Sequence, residues 1–353
     1  MTFEEARGQF PVLDRLAYLQ AGSVGPLARA TIEAMRAEEE SNLREGRAGL
    51  PYVEHVLALR EELRGLLGAL VGLDATQVAL TASTTDGCNI VLAGLDLRPE
   101  DEVITTTDEH FGLLGPLHAS GAKVVVVPPD TERIVAAVTL RTRLLALSHV
   151  LWTTGQVLPV HELKDRTGLP ILVDGAQSVG AISVDATGLD FLTISGQKWL
   201  CGPEATGALV VAEPERLRVA RPSYFAQQEH SPDGRFIPKP GAGRFDPNWL
   251  PSALLSGLRA ALDAQPEWRF ERAAEMAERC RELLAEAGAD VVVPEERATL
   301  VSWRAPVEES AAVVIRLAEA GVIVRDLAGR GLVRASVGWW TSDEDLERLV
   351  AAL

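Results

Sequence analysis

ILVDGAQSVGAISVDATGLDFLTISGQKWLCGPEATG, residues 171–207, is the stretch that decides the fold of this chain. Two apolar runs within it, ILVD at 171–174 and FLTIS at 191–195, have the length and composition of strands buried on both faces of a sheet. Asp174 ends the first run, and Lys198 follows the second across a short turn. Because ligands bind at the carboxyl ends of parallel strands, the two side chains are predicted to converge on one ligand-binding edge.

Similar short runs lie on both sides of this stretch and alternate with segments of helical composition. They predict strands at 78–80, 102–106, 123–127, 144–147 and 208–211. Strands that alternate with helices indicate βαβ units, so the predicted fold class is α/β, with a mostly parallel sheet between helices. Most of the runs are continuously apolar, KVVVV at 123–127 among them, which predicts strands that are buried on both faces.

The flanking segments predict a second, smaller unit. Apolar residues at helical spacing predict an amphipathic helix at 55–73, after a charged helical stretch at 30–46. The Pro- and Gly-rich stretch 222–251 is interpreted as a long surface connection or active-site loop. Later patterns predict helices at 252–264, 267–287, 308–320 and from 343, and strands at 299–303, 322–327 and 332–338. The predicted divisions are an N-terminal segment (1–49) that packs with the small domain, a large domain (50–245) and a small α+β C-terminal domain (246–353).

Composition restricts the class of partner. The chain has 353 residues and a formal net charge of −16, and such acidity disfavours nucleic acid and anionic membranes as partners. No signal peptide and no apolar stretch of the roughly 20 residues that a membrane helix needs is visible, which predicts a cytoplasmic protein. The three cysteines are far apart and form no metal-type pair, so reduced thiols and no metal are expected. A small-molecule ligand is favoured.

Four polar residues of different chemistry are predicted at the same edge of the sheet: Asp174, Gln177, Ser195 and Lys198. Pyridoxal-phosphate (PLP) chemistry uses such a set, since a lysine forms an imine with the cofactor aldehyde and a carboxylate keeps the pyridine nitrogen protonated. A simpler interpretation stays open, in which Asp174 caps a helix and Lys198 is a solvated surface lysine. The neighbours Gly196 and Trp199 are less typical of a solvated helix face and slightly favour the cofactor interpretation.

Ordered motifs along nearly the whole chain extend this pattern. They are TASTTDGCNIVLAGLDL at 81–97, DEHFG at 108–112, SHVLWTTGQVLPV at 148–160, DGAQSVG at 174–180, SGQKWLCGP at 195–203 and VRASVGWWT at 333–341. In this order they strongly resemble the class V aminotransferase family of fold-type-I PLP enzymes, which includes cysteine desulfurases, cysteine/cystine C–S lyases and isopenicillin-N-epimerase-like proteins. GCNIVL and SHVLWTTGQVLPV look most like the C–S lyase branch. The resemblance implies PLP as cofactor, a fold-type-I transferase fold and an active site at a homodimer interface.

The resemblance implies roles for four residues around the cofactor ring. Lys198 would hold PLP as a Schiff base and move the proton at the substrate Cα. Asp174 would pair with the pyridine nitrogen, Gln177 would hydrogen-bond the ring hydroxyl, and His110 would stack on the ring. A simpler interpretation of His110, as a loop histidine bound to backbone, stays open.

The resemblance also implies phosphate contacts from three hydroxyls: Thr84, Thr85 and Ser195. The two threonines precede a predicted helix, where free N–H groups favour phosphate, although a plain helix N-cap is the alternative. The family usually has His immediately before the lysine as a phosphate contact. Here Gln197 stands there, which can donate a hydrogen bond but cannot carry a charge. The Thr that the family often supplies to the neighbouring subunit is absent from 244–251, where Asn248 is the candidate substitute.

Two arginines are candidates for the substrate carboxylate. The resemblance places Arg334 on the α-carboxylate, a task that suits a planar bidentate fork better than a lysine. Arg325 is the second candidate. Alternatively, Arg334 forms an ion pair with Asp326 or Asp343. Thr153 stands where the C–S-lyase-like segment usually has Asn, a departure that bears on contacts to the ring or the substrate.

The resemblance leaves transamination, racemisation, β-elimination and desulfuration open. A desulfurase needs a mobile cysteine in the C-terminal part, but 326–332 contains none, Cys280 lies mid-helix, and Cys201 stands in a different place. We therefore expect a PLP-dependent C–S lyase that releases pyruvate, ammonia and a thiol or persulfide from a cysteine/cystine-type amino acid by β-elimination. The alternatives are an aminotransferase or amino-acid epimerase of the same family, and a catalytically silent PLP-binding protein. A nucleotide-binding Rossmann enzyme is disfavoured because no G-x-G-x-x-G follows the early strands.

Overall fold

A seven-stranded sheet lies at the centre of the computed structural model, which describes residues 1–305 and 309–353. The strands of the described ranges are β1 (Ala17–Tyr18), β2 (Val78–Thr81), β3 (Glu102–Thr106), β4 (Lys123–Val127), β5 (Thr142–Ser148), β6 (Ile171–Asp174), β7 (Phe191–Ser195), β8 (Gly207–Val211), β9 (Gln227–His230), β10 (Phe236–Pro238), β11 (Val291–Val292), β12 (Leu300–Arg304), β13 (Val322–Ile323), β14 (Arg325–Leu327) and β15 (Leu332–Ser336). Every apolar run predicted in the central region forms a strand. The predicted α/β fold class is confirmed.

Helices alternate along the chain with the strands from β2 to β6, and other helices precede and follow the central sheet. They are α1 (Phe3–Arg7), α2 (Arg29–Glu45), α3 (Gly49–Leu70), α4 (Thr84–Gly94), α5 (Phe111–Ala119), α6 (Thr131–Ala136), α7 (Val160–Thr167), α8 (Ser252–Asp263), α9 (Arg269–Glu286), α10 (Ser310–Glu319) and α11 (Asp343–Ala351). The start predicted at 308 for the helix before β13 lies outside the described residues. Within the described ranges, no helix combines the length and the apolar character needed to cross a membrane.

The order of the strands determines where polar side chains gather. The central sheet has the order β2-β8-β7-β6-β5-β3-β4, and only β8 runs antiparallel to its neighbours. The carboxyl ends of the other strands therefore lie at one edge. In the register of the sheet, Ser148 at the end of β5 is the direct partner of Asp174 at the end of β6. This register places the predicted ligand-binding residues side by side.

Burial follows the apolar runs except at one strand. β6, β7 and β8 are buried along their whole length, between apolar clusters on the two faces of the sheet. The expectation that KVVVV at 123–127 is buried on both faces is wrong, because Val126 is 49% exposed. β4 is one of the two edge strands and pairs only with β3; β2 at the other edge is fully buried, whereas β4 is only partly covered.

A second sheet, antiparallel and of the order β11-β12-β15-β14, lies in the C-terminal part of the chain. The N-terminal segment contacts this part, because β1 pairs in parallel with β13 and Arg7 forms an ion pair with Asp345 at 3.0 Å. Leu255 and Leu258 of α8 lie in an apolar cluster with residues of the central sheet. The divisions at 49/50 and 245/246 stay predictions.

Buried charges attach the stretch 222–251 to helix α3, and a further hydrogen bond attaches it to β2. The Asp246 carboxylate accepts hydrogen bonds from Arg60 at 3.0 Å, from Arg64, and from the Leu80 N–H at 3.0 Å. All three charged side chains are almost inaccessible to solvent. Since an isolated buried charge is costly, the two guanidiniums depend on this carboxylate.

Replacing Asp246→Ala should therefore destabilise the protein strongly. Loss of the shared partner leaves two buried guanidiniums without it, and breaking a buried ion pair from one side costs about 3–5 kcal/mol. Urea denaturation of the purified protein measures the change. The control Glu132→Gln removes an ion pair with Arg166 at the surface and should not change stability measurably. Equal midpoints for the two variants would contradict the prediction.

Candidate active site

A cavity at the carboxyl edge of the central sheet collects polar side chains from several strand ends. It is lined by Ser83, Thr84, Thr85, His110, Ser148, Trp152, Asp174, Ala176, Gln177, Ser195, Gln197 and Lys198. All eight residues that sequence analysis predicts around a cofactor lie in its wall. The predicted substrate residues Arg325 and Arg334 do not line it, but they lie beside it around Trp152.

The turn that carries Lys198 lies against the N-terminal segment. The Gly25 N–H donates a hydrogen bond to the Gln197 carbonyl at 2.7 Å. A Cβ atom at Gly25 would lie 2.1 Å from the Lys198 carbonyl oxygen, so only glycine allows this approach. Burial lowers the pKa of Lys198 to about 8, against the attraction of Asp174 and with a further decrease from Arg334. The amine is therefore closer to its nucleophilic form than that of a solvated lysine.

Asp174 has one carboxylate oxygen available to a ligand. Its Oδ1 accepts hydrogen bonds from the Ala176 N–H at 2.9 Å and from the Thr193 hydroxyl at 3.3 Å. These two contacts orient the carboxylate at the end of β6, and the side chain is only slightly exposed. Among the described hydrogen bonds none goes to Oδ2, which leaves this oxygen for a cationic group in the cavity.

Gln177 forms hydrogen bonds through both ends of its amide. Its Nε2 donates to the Gly22 carbonyl at 2.8 Å, and its Oε1 accepts from the Trp199 indole N–H at 3.0 Å. An amide nitrogen carries two protons, so one remains for a ligand. These contacts orient the side chain without occupying it fully, and the predicted contact with a ring hydroxyl stays a prediction.

His110 is the N-cap residue of α5 and also faces the cavity. Its Nδ1 accepts a hydrogen bond from the Gly112 N–H at 3.0 Å, and its ring meets Trp152 edge-on with centroids 5.3 Å apart. Burial lowers the pKa of His110, and the charge of Lys198 lowers it further. The simpler interpretation, that His110 is bound to backbone, agrees with the hydrogen bond from the Gly112 N–H. The ring nevertheless also lines the cavity.

The other end of the cavity is rich in uncharged hydrogen-bond donors. Thr84 and Thr85 lie in the first turn of α4, where the N–H groups and the helix dipole favour an anion. The alternative that either threonine is the N-cap is wrong, because Ser83 accepts the capping hydrogen bond from the Asp86 N–H. The Ser195 hydroxyl donates a hydrogen bond to the side-chain oxygen Oε1 of Gln197 at 2.9 Å, so the side-chain nitrogen Nε2 of Gln197 remains free to donate.

Two guanidiniums lie beside the cavity on adjacent strands. Arg334 on β15 and Arg325 on β14 are direct partners in the register of the small sheet. Arg334 is fully buried, and only its Nη1 has a partner, the Trp152 carbonyl at 2.6 Å. Burial lowers the pKa of Arg334 to about 9, and the charge of Arg325 contributes. Among the described ion pairs none involves Arg334, so the alternative pairing with Asp326 or Asp343 is wrong.

Two residues that depart from the family pattern lie outside the cavity wall. Asn248 is exposed, and its backbone carbonyl accepts a hydrogen bond from Arg60 at 2.7 Å. Thr153 is buried, its carbonyl accepts from the Ser302 hydroxyl, and its own hydroxyl oxygen has no partner. The candidate role of Asn248 for a neighbouring subunit stays a prediction.

Four residues of the cavity wall were not singled out from the sequence: Ser83, Ser148, Trp152 and Ala176. Ser83 followed by Asp86 has the spacing of a helix-capping pattern, which predicts the start of α4. Ser148 follows the run at 144–147 and therefore lies at the carboxyl edge. Nothing local in the sequence places Trp152, whose position depends on its contact with the distant Arg334.

The residues of the cavity fit PLP. Neutral donors at the helix N-terminus suit a phosphate, and the free oxygen of Asp174 suits a protonated pyridine nitrogen. The amine of Lys198 suits an aldehyde between these two ends. The two unpartnered nitrogens of Arg334 suit the carboxylate of an amino-acid substrate.

Comparison with known sequences identifies relatives along the chain. The aminotransferase class-V family model matches residues 17–349. Isopenicillin N epimerase of Streptomyces clavuligerus is 29% identical in an alignment that covers 99% of this chain and 97% of that protein. A probable cysteine desulfurase of Methanothermobacter thermautotrophicus is 30% identical over 74% of this chain and 70% of its own length.

Solved structures with the same fold agree with these sequence relatives. The cystine C–S lyase C-DES, in complex with its reaction product cysteine persulfide, superposes with a TM-score of 0.90, covers 97% of this chain and 98% of its own, and is 27% identical. A C-DES mutant with glycine covalently linked to its PLP cofactor gives a TM-score of 0.91, with 98% of both chains covered and 27% identity. The resemblance inferred from the motifs is confirmed, and the chain belongs to the aminotransferase class-V family of PLP enzymes.

Proposed function

We propose that this enzyme cleaves the C–S bond of a cysteine/cystine-type amino acid by β-elimination. The products are pyruvate, ammonia and a thiol or persulfide. The buried Arg334 carries the proposal, because its two unpartnered nitrogens lie beside the lysine cavity and suit the carboxylate of an amino acid. The similarity to a cystine C–S lyase over nearly the whole chain favours a sulfur-containing substrate.

Lys198 is the proposed base. When bound, PLP supplies a ring that accepts the electron pair left at the substrate Cα. The Lys198 amine takes the Cα proton, the Cβ–S bond breaks, and sulfur leaves with its electron pair as a thiolate or persulfide. The three-carbon imino acid that is then released reacts with one water molecule to give pyruvate and ammonia. A lysine pKa near 8 suits proton transfer at physiological pH.

The other residues of the cavity are proposed to hold and orient the cofactor. Asp174 pairs with the pyridine nitrogen through its free oxygen, Gln177 hydrogen-bonds the ring hydroxyl, and the His110 ring stacks on the pyridine. At the opposite end, donors without charge bind the phosphate: Thr84, Thr85, Ser195 and Gln197. The lack of a cation among these donors means that the dipole of α4 supplies positive potential there.

The two arginines are proposed to bind the substrate. Arg334 holds the α-carboxylate through its free nitrogens. Arg325 donates to the Ser23 hydroxyl at 2.8 Å and serves as the second carboxylate contact. Arg334 is buried without a counter-charge, and such a guanidinium favours an anionic ligand that supplies the missing negative charge.

The cysteines disfavour persulfide chemistry on the protein itself. Cys88, Cys201 and Cys280 are all buried, and burial raises the pKa of each thiol. A buried, protonated thiol is a poor nucleophile. We therefore propose that sulfur leaves with the product rather than on an enzyme cysteine.

An amino-acid epimerase is the second candidate. The similarity to isopenicillin N epimerase over 99% of the chain favours it, and the same lysine can remove and return the Cα proton. An aminotransferase would use the same residues. In each case we propose that the enzyme works as a cytoplasmic homodimer.

The reaction is tested by incubating the PLP-loaded enzyme with L-cystine and L-cysteine. We expect pyruvate and ammonia in equal amounts, none from Lys198→Ala, and retained activity in the control double variant Cys201→Ala/Cys280→Ala. Exchange or inversion at Cα without pyruvate would instead support the epimerase. A visible cofactor band without exchange on any amino acid would indicate a silent PLP-binding protein.

The ionisation of Lys198 should be visible in the apoprotein. Reductive methylation with 13C-formaldehyde, followed by NMR titration, should give a signal with a midpoint near pH 8 that is absent in Lys198→Ala. Below this pH the amine is charged, and above it the amine is neutral. A midpoint near 10.5, the ordinary value for lysine, would contradict the burial argument.

Arg334→Lys should weaken substrate binding more than it slows the chemical step. Loss of a bidentate contact to a carboxylate costs about 1.5–3 kcal/mol, which corresponds to a KM increase of roughly 10- to 100-fold. Steady-state pyruvate formation measures KM and kcat. Arg316→Lys on α10, remote from the cavity wall, is the matched control and should behave as the parent enzyme. An unchanged KM in Arg334→Lys would remove Arg334 from the substrate site.

A further inference from the structure

We propose that Glu109 is a positioning residue that holds the segment 107–110 against the end of β5 and thereby places His110 over the cofactor ring. Glu109 does not line the cavity, so it does not touch the cofactor itself. The inference rests on the stacking role proposed for His110 and on the PLP cofactor. It is independent of which substrate bond the enzyme breaks.

The Glu109 carboxylate joins two strand ends. Its two oxygens accept from the Ser148 N–H at 3.1 and 3.0 Å, and Oε2 also accepts from the Ser148 hydroxyl. Oε1 accepts from the Thr106 hydroxyl at 2.8 Å. Thr106 ends β3 and Ser148 ends β5, so one side chain closes the segment between β3 and α5 onto the sheet.

The other contacts of this segment leave its position dependent on Glu109. Asp108 forms a partly exposed ion pair with Arg330, and surface pairs contribute little. The Thr107 N–H donates to the Val127 carbonyl of the edge strand. Among the described hydrogen bonds, the side chain of His110 has one, which it accepts from the Gly112 N–H two residues away, and its ring meets Trp152 edge-on. The anchor at Ser148 is thus the buried link between the histidine and the sheet.

The hydrogen bonds from Ser148 to Glu109 lie next to the residue that is proposed to bind the pyridine nitrogen. Ser148 is the register partner of Asp174, the residue proposed to pair with the pyridine nitrogen. Glu109 therefore connects His110, which is proposed to stack on the ring, to β5. This strand lies beside β6, which carries Asp174. A shift of about 1 Å in such a contact can reduce a rate on the order of a hundred-fold.

Burial of the Glu109 carboxyl group lowers the stability of the fold, so stability does not explain why an acid stands here. Glu109 is 2% exposed, and burial raises its pKa to about 7 although Ser148 and Thr106 act in the opposite direction. The nearby carboxylate of Asp174 raises it further. A side chain that filled the same space without a titratable group would avoid this cost. A carboxylate can accept several hydrogen bonds at one point. The hydrogen bonds from Thr106 and Ser148 therefore account for an acid at position 109.

Glu109→Ala and its matched control Glu102→Ala test the proposal. Glu102 is equally buried and lies at the opposite end of β3, where it accepts hydrogen bonds from Lys123, Thr139 and Arg141. Both variants should lower the melting temperature of the apoprotein. Only Glu109→Ala should also lose at least half of the visible circular dichroism of bound PLP and raise the Kd for PLP roughly ten-fold or more.

Glu109→Gln should restore most of both signals. An amide oxygen can accept from the Ser148 N–H, and an amide N–H can donate to the hydroxyls of Ser148 and Thr106. If Glu109→Ala does not fold, Thr106→Val and Ser148→Ala remove the hydroxyl donors singly, and each should reduce the dichroism in part. Rescue by Gln together with failure of Ala identifies the hydrogen bonds as the cause.

A Glu109→Ala variant that lowers only the melting temperature, as Glu102→Ala does, would overturn the proposal. His110→Ala distinguishes the two possible failures. If His110→Ala alters the dichroism and Glu109→Ala does not, the role of Glu109 is wrong and that of His110 stands. If neither alters it, the stacking role is wrong and the inference fails with it. Formation of pyruvate by the parent enzyme is unaffected by either outcome.

Discussion

The parallel direction of the strands β3, β5, β6 and β7 is the constraint on which the rest of the molecule depends. Parallel strands end at the same edge, so short side chains that follow separate segments become neighbours in space. Asp174 and Ser148 are register partners for this reason. The same geometry places the turn of Lys198 beside them and the N-terminus of α4 at the other end of the cavity. An antiparallel sheet would have distributed these groups over both edges.

Desolvation shifts the pKa values of several ionisable groups in and beside the site. It lowers the pKa of Lys198 and Arg334 and raises that of Glu109, so each group is shifted toward its neutral form by the same cause. The chain has a net charge of −16, yet among the described ion pairs none involves the neighbouring guanidiniums of Arg325 and Arg334. Together these features describe a site prepared for an amine, an aldehyde and an anionic carboxylate.

The small sheet completes the site from outside the large one. Arg334 of β15 contacts the Trp152 carbonyl, and the Ser302 hydroxyl of β12 contacts the Thr153 carbonyl. The loop after β5 is thus held between the two sheets. The Asp246 carboxylate performs a comparable task elsewhere, because it attaches 222–251 to α3 through buried charge. The groups proposed to bind the substrate and those proposed to bind the cofactor consequently come from two different sheets, which both contact this loop.

The amino-acid sequence by itself determined the strands of the central sheet, the family and eight of the twelve residues that line the cavity. Apolar runs are local signals, and the end of a parallel strand predicts the ligand edge. Only the tertiary structure decided that β4 is partly exposed and that Arg334 has no acidic partner among the described residues. It alone revealed the link from Glu109 to Ser148. These features depend on which distant segments cover a strand or meet a side chain, and no pattern along the chain carries that information.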